Sequence, residues 1–103
     1  MTELIGLLEE SAAFLEVYSE KSYSAWLRNC ATMLKNNDLS GIDKLLRAFA
    51  GMGSFNDLVI CPMNNHKIDE SEVDFANTKL DEYRRKIYQL ASGLRRDLWK
   101  HSE

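Results

Sequence analysis

"SEVDFANTKLDEYRRKIYQLASGLRRDLWK", residues 71–100, carries the longest regular pattern in the chain. Val73, Ala76, Leu80, Tyr83, Ile87, Leu90, Leu94 and Leu98 recur at intervals of three and four. That repeat aligns one face of a helix. A stripe this long needs other helices to cover it, as in a bundle. Asp69 followed by Glu72 is a start signal for this helix. Gly93 lies far from the stripe, where it costs helix stability without a packing reason.

Three shorter helical patterns precede it. The first runs from about Glu3 to Tyr18, with Leu4, Leu7, Leu8, Phe14, Leu15 and Tyr18 on one face and Thr2 as N-cap. The second runs from Tyr23 to Lys35 and turns Tyr23, Trp26, Leu27, Cys30, Met33 and Leu34 inward. "NND" at 36–38 ends it, because Asn and Asp favour turns over helix. The third, Gly41 to Phe49, buries Ile42, Leu45, Leu46 and Phe49. Ser40 with Asp43 resembles a capping box, and Gly51 is placed to close the helix in the left-handed conformation. The expected fold is therefore all-α: one domain over 1–103, a small bundle of about four helices with a long C-terminal helix.

Between the third and fourth helices lies "FAGMGSFNDLVICP", residues 49–62. Gly51-x-Gly53 falls short of a phosphate-binding loop, which needs a longer glycine run and a Lys-Ser/Thr pair. The simpler reading is structural. Ser54 or Asn56 caps a turn, Asp57 bonds the loop's own amides, and Leu58, Val59 and Ile60 fill the core before Pro62 stops regular structure. The segment "GMGSFNDLVI", together with "AWL" at 25–27 and the leucine-rich start, resembles the signature of a family of small bacterial proteins of unknown function. The resemblance implies a bacterial, cytosolic setting and no activity to transfer.

Composition excludes several classes. The apolar share of 45% is too high for disorder, and no apolar run reaches the roughly 20 residues of a membrane span. The start "MTELIGLLEE" has acids where a secretory leader needs bases, so a cytoplasmic protein is expected. Cys30 and Cys61 are too few for a disulfide framework. Catalysis is not expected. His66 and Cys61 share a loop without a visible orienting group. Cys30, Cys61, His66 and His101 lack zinc-ligand spacing, and no cofactor motif is present.

Charge is more informative. The net charge is −3. Residues 1–75 hold 12 acids and 6 bases, and residues 76–103 hold 4 acids and 7 bases. On the first helix, Ala13 and Val17 sit among Glu9, Glu10, Glu16 and Glu20. Small apolar residues ringed by carboxylates suit a basic protein partner. Asp69, Glu70 and Asp74 add acids at the head of the fourth helix, where they also complement its dipole. The favoured expectation is a non-catalytic protein-binding module, such as an immunity protein that covers the basic cleft of a toxin. A second expectation is nucleic-acid binding through Arg84, Tyr88, Arg95 and Trp99, a row able to hold phosphates and stack bases. A third is a structural homodimer that pairs exposed apolar surface from its helices.

Overall fold

The computed structural model describes residues 1–49 and 54–101, with the side chains of residues 99–101 excepted. Four α-helices follow in order: α1 (Thr2–Val17), α2 (Lys21–Lys35), α3 (Ser40–Arg47) and α4 (Val73–His101). Three single 3-10 turns, Phe55–Asp57, Pro62–Asn64 and Glu70–Glu72, punctuate the connection from α3 to α4. Among the described residues there is no strand, and no helix is long and apolar enough to cross a membrane.

Helix α1 packs chiefly on α2, α2 on α3, and α4 lies against both α1 and α3. Its apolar stripe explains why: Ala76, Leu80, Tyr83, Ile87 and Ala91 are buried. Ala76, Leu80, Ile87 and Ala91 meet Leu4, Leu8, Ala12 and Leu15 of α1, Leu27, Cys30 and Leu34 of α2, and Ile42 and Leu45 of α3 in one core. The stripe loosens towards its end, where Leu98 is exposed.

The helix junctions follow a shared device. After α1, Glu20 N–H donates to the Leu15 carbonyl and Ser19 N–H to that of Glu16, with Ser19 left-handed at φ 64°. After α2, Asp38 N–H donates to Met33 and Asn37 N–H to Leu34, with Asn37 at φ 60°. Both are Schellman closures built without glycine, and the second accounts for the stop at "NND". Gly41 has a different task. A Cβ there would lie 3.2 Å from Met33 Cβ and 3.3 Å from Leu34 Cδ2, so its bare backbone lets α3 approach α2.

Several local expectations need correction. Thr2 is inside α1 rather than its cap. Ser40 and Asp43 form no capping box: the Asp38 carboxylate accepts from Ser40 N–H at 3.2 Å and from its hydroxyl, while Asp43 turns to Arg95. An Asp two residues ahead reaches those donors more directly than an Asp three residues on. Helix α2 starts two residues early because the Glu20 carboxylate accepts from Tyr23 N–H at 2.9 Å. The expected left-handed closure at Gly51, and any role for Gly53, lie outside the described residues.

The connection itself is irregular but closely tied. Phe55, not the Leu58–Ile60 run, provides its largest buried side chain. Ile60 is fully buried, Leu58 half-buried, and Val59 is 48% exposed. The chain leaves the Phe55–Asp57 turn in extended conformation at Leu58, and extended chain alternates faces. Val59 therefore points outward between two inward neighbours.

Candidate interaction surface

The acids expected to face a partner divide into two sets. Glu9 Oε1 lies 2.5 Å from Lys35 Nζ, and Glu16 Oε1 lies 2.5 Å from Arg28 Nη2. Both bases stand on α2, so this edge of α1 is already balanced by its neighbour. The Arg28 hydrogen bond holds the Glu16 carboxyl below the usual carboxylate range. Glu20 is committed as well: one carboxylate oxygen caps α2 and the other lies 3.2 Å from His66 Nε2. The second set faces away from α2. Glu10, Ala13 and Val17 are exposed, and Val17 is exposed by 70%. They continue at helical spacing from Glu3 and Gly6, both also exposed. The Tyr83 hydroxyl is pushed upward in pKa first by burial and then by the nearby charge of the Glu10 carboxylate.

Contacts across α1 and α4 bring the second acidic group to the same end. The Phe14 ring lies 5.3 Å from those of both Tyr18 and Tyr83. Lys67 N–H donates to the Tyr18 carbonyl at 3.0 Å. The chain thus enters α4 beside the last turn of α1. Asp69, Glu70 and Asp74 are exposed there. So is Phe75, at 69%. Sequence reasoning passed over Phe75 because it falls off the core stripe. A large aromatic off that stripe was the available signal.

The row expected to hold nucleic acid is mostly spent on the fold. Arg84 Nη1 donates to the carbonyls of Phe55, Asn56 and Leu58 at 2.8, 3.1 and 3.0 Å. Its other terminal nitrogen pairs with Asp81, and the guanidinium lies over the Phe55 ring. Arg95 Nε lies 2.9 Å from Asp43. Tyr88 is half exposed, with its ring edge-on to Phe49 at 5.4 Å. The side chain of Trp99 lies outside the described residues. Beside Arg84, an open depression of about 700 Å³ is lined by Phe49, Asn56, Arg85, Tyr88 and Gln89. With Nη1 on three carbonyls, Nη2 on Asp81 and the side chain 11% exposed, Arg84 is held mainly by the fold.

His66 and Cys61 do meet, but not as nucleophile and base. Cys61 N–H donates to His66 Nδ1 at 3.1 Å, which leaves the proton on Nε2, facing Glu20. Both ring nitrogens are used, and the side chain is almost fully buried. The imidazole therefore clips the 61–66 loop to the α1–α2 corner. Asn77 does the same for Ile60, accepting from its N–H and donating to its carbonyl, each at 2.8 Å. Burial pushes the Cys30 thiol up to about 11, away from the thiolate that chemistry needs. Among the described residues, no group of three or more His, Cys, Asp or Glu could hold a metal ion.

No curated protein and no solved structure matches the chain. A family described as a domain of unknown function (DUF6966) matches residues 16–69, just over half of the sequence. The matched stretch runs from the end of α1 through α2, α3 and the connection clipped by His66. The protein therefore belongs to this DUF6966 family of unknown function.

Proposed function

We propose that the protein is a non-catalytic binding module for a basic protein partner. Its specific form is a bacterial, cytoplasmic immunity protein that neutralises a basic toxin by covering the toxin's nucleic-acid cleft. The surface is the outer ridge of α1, Glu10, Ala13 and Val17, extended by Asp69, Glu70 and Asp74. The observation that carries this reading is the division of the acids. Glu9, Glu16 and Glu20 are tied to α2 or His66, whereas the outer ridge keeps Val17 in water on the same face as Glu10. An exposed apolar residue among carboxylates gives a partner both an anchor and an electrostatic guide. The bacterial setting is supported by the resemblance of the 51–60 segment to small bacterial proteins.

The test is co-expression of the tagged chain with the product of the reading frame beside its gene. A stoichiometric basic protein that elutes at moderate salt is expected. Val17→Lys and Glu10→Lys should each weaken that complex at least about tenfold, a change of about 1.4 kcal/mol. Glu9→Gln and Glu16→Gln should leave it near wild type. A complex indifferent to Val17→Lys and Glu10→Lys overturns the face. Elution of the chain alone overturns the basic-partner reading for that product.

A further inference from the structure

Helix α4 carries a second row that the bundle does not use. Glu72, in the turn before it, Phe75, Glu82, Lys86 and Arg96 are exposed along one outer edge. Gly93 falls on the same edge. Spacings of seven, four and seven keep Phe75, Glu82, Lys86 and Gly93 on one narrow face of a helix, with Glu72 and Arg96 at its opposite margins. Two members lack an account in the single chain. Phe75 holds a large ring 69% in water. Gly93 sits within a 29-residue helix, where only proline is a poorer residue. A Cβ at Gly93 would meet nothing within 4 Å, so the fold of one chain does not require glycine there.

The row reads as its own complement when reversed. The geometry points to antiparallel pairing of α4 with α4 of a second copy of this chain, and we propose that the protein forms a dimer this way. With the two-fold axis between Glu82 and Lys86, Glu82 faces Lys86 of the second copy. Phe75 falls on Gly93 of the second copy, where the missing side chain leaves a notch for the ring. Symmetry makes each pairing twice. Small residues let helices approach closely, and opposite charges facing across the seam set its register. Glu82 also lies 3.6 Å from Lys79 of its own chain, an exposed pair that costs little to exchange. This dimer does not rest on the basic-partner reading.

Sedimentation equilibrium on the full chain, up to millimolar concentration at low and moderate salt, tests the proposal. A dimer that weakens with salt is expected. Phe75→Ala should weaken it at least about tenfold. Gly93→Leu should do the same while leaving the thermal midpoint of the monomer at or above wild type, since the site is open and leucine is the better helix former. Glu82→Lys should dissociate the dimer, and Glu82→Lys combined with Lys86→Glu should restore it. A chain that stays monomeric throughout overturns the proposal. So does a dimer indifferent to Phe75→Ala and Gly93→Leu, or one that the double charge swap does not rescue.

Discussion

Helix α1 and the connection from Ser54 to Ile68 both wall the same core, but they are held in place by different groups. In α1 the backbone satisfies itself, and Leu4, Leu8, Ala12 and Leu15 fasten the helix through one buried stripe. Its outward residues are then free of structural duty unless a neighbour reaches them, as Lys35 and Arg28 reach Glu9 and Glu16. The connection buries only Phe55 and Ile60 fully among its apolar residues. Turns satisfy part of its backbone, and polar side chains satisfy more of it: Arg84 for the Phe55–Leu58 turn, Asn77 for Ile60, His66 for Cys61. Where the chain is irregular, residues that look chemically active are consumed in satisfying it. The residues left to meet a partner stand on α1 or at the entry to α4.

The largest expected effect tests the apolar side of that contrast. Phe55 is fully buried and touches the rings of Tyr23 and Phe49, 5.1 and 5.7 Å away. Phe55→Ala should destabilise the fold by about 3–5 kcal/mol, read from the denaturant midpoint at unchanged slope. A loss under about 1 kcal/mol, small for a buried site, would mean that the connection is held by its polar ties alone. The next effect tests those ties. Arg84→Met keeps the stem's packing but orphans the Phe55, Asn56 and Leu58 carbonyls. It should cost about 2–4 kcal/mol, and Arg84→Lys should recover little, because an ammonium lacks the planar fork.

How much of this was legible depends on whether the controlling interaction is periodic. Ala76, Leu80, Tyr83 and Ile87 were identified as core from spacing alone, and all four are buried. Periodicity encodes which way a helical residue faces. The turn after α2 was legible from Asn36–Asp38 because turn chemistry is local. Phe55 was missed because no repeat surrounds it, and Val59 was turned inward although it is 48% exposed. Their orientation follows from where the 3-10 turn stops. Arg84 was assigned to a partner because its carbonyl acceptors lie 26–29 positions earlier in the chain. The acidic arc of α1 was seen whole. Its division into a paired and an outward edge depends on where α2 lies, which no local pattern specifies.

His66 offers an intermediate effect that separates packing from polarity. His66→Leu keeps an apolar body but leaves Cys61 N–H without its acceptor. A destabilisation of about 1–3 kcal/mol is expected, the cost of orphaning a buried donor. His66→Asn can present a carbonyl oxygen near the place of Nδ1 and should lose less. Hydrogen exchange at the Cys61 amide reads the clip directly: faster exchange in the Leu variant than in the Asn variant is the expected order, and the reverse order would assign His66 to packing.

The smallest effect is expected on α1 and is the sharpest test of the contrast. Glu9 and Lys35 sit 2.5 Å apart, but their side chains remain 39% and 55% exposed. Water screens such a pair, and the two long side chains give up rotamer freedom to form it. Glu9→Gln should change stability by less than about 1 kcal/mol, with the difference shrinking further as salt is raised. A loss as large as that of Arg84→Met would show that α1 depends on its polar edge as the connection depends on its clips. Near-neutrality would instead mean that the buried stripe alone fixes α1. Substitutions on its outer ridge at Ala13 and Val17 could then be read as effects on binding, with stability held constant.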